Sequence, residues 1–582
     1  MVRLPRSFAS VLRARNPVKL ACISVLFAIA AGCGQAAPSA SSSQRPASAA
    51  STTIKTITVG VKTPPPFLYG QLMPSNTSAG GGPELADFVS SGFSAVDDRG
   101  QRIPQLGEAV PSIENGLWKV FPDGAMELTW RLKPNARWHD GKPLTSEDLA
   151  FTLQVGKDPE APSLRSLLLE AVDGVTVLDE RTLVTRWKSP FIDADELFSG
   201  VWAIPLPKHI LGDVYATDPI TLMDQPYFSS QFIGTGPFKL RSFEVGTGIT
   251  LDAFADYPLG KPKVDVIEAR FITDDNTLIA GVLAGSIDTI LGPAISLEQA
   301  LQMRDQWPNG KAEFKALSSH LVIYPQFYEP GSPIILNPQF RRALMSGINR
   351  PEMADSIQFG VVPIADSSIS PKSPYYTAIE SSIVRYPHDP QRAMRMIEEL
   401  GYRRGSDGLF ADASGNKLTV PVQVTRAQEI QVKTAMAVAD YWRQIGVGTD
   451  MDIVAVQLAQ DLAYRANFPG FAVQRQPTDV EALPKLHSTE ARLAGKGYRG
   501  LNNARYMNAE MDALIDQYRT TVPIPARTQL IGQIIHRVTD EQIWMATFFD
   551  SEPSLISNRL VNVGPKSNDS IMTWNAHEWG VK

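Results

Sequence analysis

Cysteine is almost missing from this 582-residue chain: there are two, Cys22 and Cys33, and both precede residue 34. Nothing after that point can close an internal disulfide or offer a thiolate to a metal. Histidine is sparse as well. The seven are His139, His209, His320, His388, His487, His536 and His577, none paired with another at helical spacing. No H-E-x-x-H occurs either, so a dedicated metal site is not expected. G-x-S-x-G is absent, which removes the hydrolase elbow. The one S-x-x-K, Ser414–Lys417, carries Gly415 and Asn416 where a hairpin turn belongs, and the companion motifs of a penicillin-binding nucleophile are missing. "GTGPF" at 234–238 has neither the spacing nor the lysine of a phosphate-cradling loop and reads as the start of a strand. No catalytic residue, cofactor or metal is expected, and the chain does not read as an enzyme.

Long apolar runs are also scarce. The main one, Leu20–Ala31, is shorter than the roughly 20 residues that span a bilayer. It follows a head with Arg3, Arg6, Arg13, Arg15 and Lys19 and no acid, and it ends in small residues, the parts of a secretory signal peptide. Its exit, "AAGC", resembles a bacterial lipobox, so residues 1–32 are expected to be removed and Cys33 to carry a lipid. Ala30 stands where such boxes usually carry leucine, which leaves cleavage without a lipid as the alternative. Residues 33–54, rich in Gly, Ser, Ala and Pro, read as a flexible tether. Removal of 1–32 takes away five basic residues and no acid, leaving a net charge of −11 on residues 33–582. Such a chain has no electrostatic case for binding nucleic acid. An exported protein held on a lipid anchor is expected.

Order begins at "IKTITVGV", whose alternation predicts a strand. In "GGGPELADFV", Pro83 and Glu84 suit the first turn of a helix. In "WRLKPNARWHDGKPLTSEDLAFTL", Leu128, Trp130 and Leu132 alternate as a strand, "HDGKP" reads as a turn, and Thr145 with Asp148 predicts a helix start. The neighbours His139 and Asp140 invite thoughts of acid–base chemistry. On a turn, however, adjacent side chains point apart, and no third group is near in sequence. Further on, "KLTVPVQV" and "GTDMDIVAV" read as strands, and "EIQVKTAMAVADYWRQIG" and "ARTQLIGQIIHRVTDEQIW" as helices. The mixture predicts an α/β protein with more than one lobe.

That tryptophan–histidine–aspartate–glycine stretch closely resembles the signature of the bacterial family 5 extracellular solute-binding proteins, the oligopeptide-, dipeptide- and nickel-binding components of ABC importers. Further blocks follow in the family's order: "IPLPKHIL" (204–211), "GTGPFKLRSF" (234–243), "GVLAGSIDTI" (281–290), "NPQFRRALMSGINRPEM" (337–353), "HDPQRAMRMIEELGY" (388–402) and "MNAEMDALID" (507–516). The resemblance implies a hinged, two-lobed α/β fold of the periplasmic-binding-protein type, in its larger form with an extra subdomain. The first lobe is expected over 55–315, with the inserted subdomain at about 89–233. The second lobe is expected over 316–547, and 548–582 should return to the first. It further implies capture of a peptide or similarly sized solute between the lobes, delivery to a membrane permease, and a monomer. A receptor that senses without transport and an extracellular hydrolase are the alternatives.

The resemblance also nominates binding residues. In peptide-binding members a tryptophan and an aspartate-bearing segment of the second lobe hold the peptide ammonium. The matching stretch here is "FPGFAVQRQPTDVEAL" (468–483). Phe471 stands near the tryptophan's place, Gln474, Arg475 and Gln476 replace the acidic run, and Asp479 takes over from the family aspartate only with the loop repacked. A buried ammonium needs a paired charge, so Arg475 favours an anionic or neutral polar ligand, unless it is a surface arginine. Glu84 resembles a family glutamate that faces the ligand, with a plain first-turn acid as the alternative. Tyr324, Gln326 and Tyr328 in "YPQFYEP" lie near the expected lobe crossing, with a core role as the alternative.

Overall fold

Strand β1 (Thr56–Val61) is buried along almost its whole length, as a strand covered on both faces should be. A computed structural model describes residues 54–72, 80–160, 167–200, 204–292, 294–426, 429–455, 457–458, 461–564 and 570–582. The expected signal peptide, Cys33 and nearly all of the tether lie outside the described residues. After β1 come α1 (Gly82–Val89), β2 (Trp118–Val120), β3 (Met126–Arg131), α2 (Ser146–Lys157), β4 (Val172–Asp179) and β5 (Thr182–Trp187). Strands β6 (Phe238–Glu244), β7 (Gly248–Ala253), β8 (Val266–Phe271), β9 (Thr289–Ile290) and the long β10 (Gly310–Pro325) follow. The remainder holds β11 (Thr419–Thr425), α3 (Glu429–Gln444), β12 (Gly448–Val454), β13 (Phe471–Pro477), α4 (Ile524–Asp540) and β14 (Met545–Ser557).

One ten-stranded sheet runs β12-β11-β13-β10-β14-β9-β1-β8-β7-β6, and a four-stranded sheet, β2-β3-β5-β4, stands apart. Two strands carry the large sheet from one lobe to the other. At its N-terminal end β10 packs Ala312 and Phe314 beside Leu278, Trp307 and Leu555; at its C-terminal end Leu321 and Ile323 join Val422, Trp442 and Phe471. Antiparallel β14 makes the return journey, with Phe548 and Phe549 in the second lobe and Ile556 in the first. Register between the pair slips at Glu313/Ala316, Ala316/Ser319 and His320/Val322. Bulges of this kind bend and twist a strand pair, and here they sit where the lobes join.

The first-lobe core gathers Ile57, Val59, Phe88, Phe238, Ile267 and Trp579. The small sheet and α2 enclose a second core around Trp118, Trp130, Trp138, Trp187 and Phe198. In the second lobe the sheet has a core on each face: Leu321, Ile323, Phe471 and Val473 on one, Val322, Tyr324 and Ala472 on the other. That second face also receives Ile192, from the segment that follows β5.

Several sequence blocks meet in space. His139 is buried, with Nδ1 accepting from Gly234 N at 3.1 Å and Nε2 donating to the Gly236 carbonyl at 3.0 Å. Burial lowers its pKa to about 4, so the ring is a neutral clamp between the turn and the glycine strand start. Those glycines are required by closeness: a Cβ on Gly234 would lie 1.9 Å from the Val89 carbonyl oxygen. Asp140 accepts from Lys142 N (3.0 Å) and faces His209 (2.8 Å), while Gly141 turns the chain at φ 87°. Asp148 completes the capping box of α2 with Thr145 N (2.9 Å) and receives Lys208 N (2.9 Å). The pair His139–Asp140 holds architecture together.

Candidate ligand cleft between the lobes

Where β10 and β14 cross between the lobes, with the end of β13 alongside, the apolar pattern stops. The crossing is built from Ser318–His320, Gln474–Pro477 and Asp550–Glu552, paired side by side (Ser319 opposite both Pro477 and Asp550, His320 opposite Gln476). Ser319, His320, Gln476, Asp550 and Ser551 are all buried. Among the described residues, the hydroxyls of Ser318, Ser319, Ser368 and Ser551, the Gln358 Oε1 and the Gln476 Nε2 have no hydrogen-bond partner. Each such buried group costs about 1–3 kcal/mol if nothing meets it. Their gathering at one crossing marks a polar interior surface suited to a solute.

Strand alternation divides this belt between two faces. Arg475 shares a face with Phe471 and Val473 and is already neutralised: its guanidinium lies 2.6 Å from Asp550 and 3.3 Å from Glu552. Gln358 Nε2 donates to Asp550 at 3.1 Å. Burial outweighs Arg475 and holds the Asp550 carboxyl above the usual range. The opposite face carries His320, Tyr324, Gln474 and Gln476. The Tyr324 hydroxyl donates to Gln476 Oε1, and Asn503 Nδ2 donates to Gln474 Oε1 at 3.0 Å. Burial lowers the His320 pKa to about 3, with the Gln476 backbone opposing the shift, and raises that of Tyr324.

The expected binding residues thus divide. Tyr324, Gln474 and Arg475 stand on or beside the crossing. Asp479 follows it, buried in a left-handed backbone conformation (φ 87°), and accepts from Ser373 Oγ (2.7 Å) and Val480 N (3.0 Å). Gln326 is wholly buried and occupied by structure: its amide nitrogen donates to the Ala466 and Phe468 carbonyls, and its oxygen accepts from Tyr328 N and Arg505 Nε. Tyr328 lies under the Arg505 guanidinium, 5.1 Å from the ring centre. Phe471 is a core residue, edge-on to Trp442 at 4.9 Å. Glu84 is buried in the first turn of α1, by the turn at Gly292 in the first lobe. Ser319, His320 and Asn503, at or beside the crossing, were outside the expected set, and nothing local announced Asn503.

Beside this face the lobes touch. Ile192 enters the second-lobe core and Val522 the core around Trp130. Next to Ile192, Arg102 pairs with Asp195 (3.5 Å) and with Glu196. Asp193, Asp195 and Glu196 share this contact with Glu481 of the second lobe. Burial, with repulsion from the neighbouring acids, raises the pKa of half-buried Glu196 to about 8, and burial raises that of Asp195.

A family model described as bacterial extracellular solute-binding proteins, family 5, matches residues 108–482. The chain belongs to this family. Its members are solute receptors, and the fold seen here is the bilobed α/β fold of periplasmic binding proteins. The oligopeptide-binding protein AppA of Bacillus subtilis is 21% identical over 521 residues, covering 88% of this chain and 89% of the relative. A putative ABC transporter peptide-binding protein of Brucella ovis is 27% identical over 301 residues, about half of each chain (51% and 53%). Among solved structures, the same AppA in complex with a nonapeptide superposes with a TM-score of 0.66 at 20% identity, covering 91% of this chain and 99% of that one. NikA of Brucella suis in complex with Fe(III)-EDTA gives 0.73 at 16%, covering 90% and 100%. At such identities the structures speak for the fold.

Proposed function

We propose that this solute-binding protein of ABC-importer type captures a peptide or a solute of similar size at the strand crossing and delivers it to a membrane permease. It acts as a monomer, outside the cytoplasm, on a lipid attached at Cys33. The first lobe is 55–315 with its subdomain at about 89–233, the second lobe 316–547, and 548–582 returns to the first, its leading residues Phe548 and Phe549 still packed in the second-lobe core. The observation that carries the reading is the set of buried, unpartnered polar groups at Ser319, Ser551 and Gln476, placed where two bulged strands link the lobes. The fold shared with a nonapeptide complex supports a cleft of peptide size. The fold shared with a metal–chelate complex supports solutes of other chemistry equally.

Native mass spectrometry of gently purified residues 34–582 tests this. A ligand with a slow dissociation rate stays with the protein through gentle purification. A released small-molecule or peptide mass, lost when Ser319→Trp fills the crossing, is the expected result. A ligand kept by that variant would place binding elsewhere.

A further inference from the structure

Two apolar side chains change sides between the subdomain and the second lobe. After β5 the chain is packed on the core around Trp130: the Phe191 ring lies 5.6 Å from that of Trp187, and Ala194, Leu197 and Phe198 are buried there. Ile192, within the same stretch, is instead buried in the second-lobe core with Tyr324, Tyr518 and Ile531. The helix Ala509–Thr520 and α4 repeat the arrangement from the other side. Met511, Ile515, Tyr518, Ile531 and Ile534 belong to the second-lobe core, whereas Val522, in the turn between the two helices, is buried in the core around Trp130. Each body lends one residue to the other's core.

Nothing directional reinforces the exchange. Arg102 pairs with Asp195 (3.5 Å) and Glu196 on one side, and Arg527 donates to the Tyr375 hydroxyl (3.2 Å) on the other. Among the described residues no hydrogen bond or ion pair joins 188–199 to 516–527. An apolar contact of two side chains is small enough to part and re-form. It favours the joined arrangement whether or not a solute is present. The bulged strands of the crossing are the place where the bodies can turn.

We propose that Ile192 and Val522 form a reciprocal latch that keeps part of the solute-free protein closed. The inference rests on the two-lobe division given above and not on the identity of the solute. With the latch, the lobes already sample the closed form before a solute arrives, and apparent affinity rises with the population of the form that holds the solute tightly.

The test uses residues 34–582, which keep the whole compact body Ile54–Lys582, stripped of solute by unfolding and refolding. Leu178→Cys on β4 and Met436→Cys on α3, both exposed, place one spin label on each side of the latch in a chain with no other cysteine after residue 33. Double electron–electron resonance then compares the intact latch with Val522→Thr and Ile192→Ser. Val522→Thr keeps the side-chain shape in a turn whose neighbours Pro523 and Ile524 are exposed, so a folded variant is available even if Ile192→Ser is unstable, and its hydroxyl disfavours the apolar seat. The proposal expects a short-distance component in the stripped protein that shrinks at least threefold in Val522→Thr. A stripped protein without that component, or an unchanged distribution in the folded variant, overturns the latch. Return of the co-purified material judges the capture reading separately: distances that respond to Val522→Thr but not to that material keep the latch and remove capture, and the reverse pattern keeps capture and removes the latch.

Discussion

At the residue scale, His139 shows how a pair that suggests chemistry serves structure. Its ring bridges the Gly234 amide and the Gly236 carbonyl and packs edge-on against Phe254, 5.1 Å between centres. Replacing it with alanine removes both bonds and leaves two buried backbone groups unmet, a loss of about 3 kcal/mol. Urea unfolding of His139→Ala should show that loss with ligand binding otherwise intact. Asp148 joins the cap of α2 to the start of the segment at Lys208, so Asp148→Ala should cost about 2 kcal/mol by the same measurement, against about 1 for an ordinary cap. Arg475 teaches the converse. Its sequence position suggested a ligand charge, but the acids that neutralise it lie on β14, 75 and more residues away, where no local pattern shows them.

At the element scale, much was legible. Alternation found β1, β3, β11 and β12, helical spacing found α3 and α4, and the turn at "SGNK" lies between Asp412 and Asn416, whose backbones hydrogen-bond at 3.0 Å. These elements are set by local period and by capping, which act over a few residues. The site is set by pairing across long separations, Ser319 with Asp550 and His320 with Gln476. That is why Ser319 and Asn503 drew no notice in the sequence, and why Phe471, named for the cleft, lies in the core where strand alternation puts it. The bulged crossing makes a prediction of its own. Backbone amides of residues 316–322 and 546–552 should exchange with deuterium faster in stripped protein than in ligand-loaded protein, while those of β1 and β8 stay equally protected. Uniform protection of the crossing in both states would contradict a hinge there.

At the scale of the molecule, the lobe contact carries protons. Burial raises the folded pKa of Glu196 to about 8, above its unfolded value. Between about pH 4.5 and 8 the folded state therefore keeps a proton that the unfolded chain has lost, and the stability Glu196 contributes falls as pH rises across that window. His139 and His320 act in the other sense. Their folded values of about 4 and about 3 lie below 6.5, so stability is lost as pH falls below about 6.5. Above about pH 6.5, where the histidine contribution is complete, Glu196→Gln should lessen the fall in melting temperature up to about pH 8, and an unchanged fall would contradict the raised pKa.

Capture between moving lobes is the central claim, and the absence of cysteine after residue 33 makes it directly measurable. Val245, in the turn between β6 and β7, and Met436, on α3, are exposed and lie in different lobes. Val245→Cys with Met436→Cys gives two unique sites for spin labels in residues 34–582. Double electron–electron resonance then reads the interlobe distance in stripped protein and after return of the ligand it was purified with. A broad, longer distribution that narrows and shortens on ligand return is the predicted result. An identical distribution in both states would contradict the account.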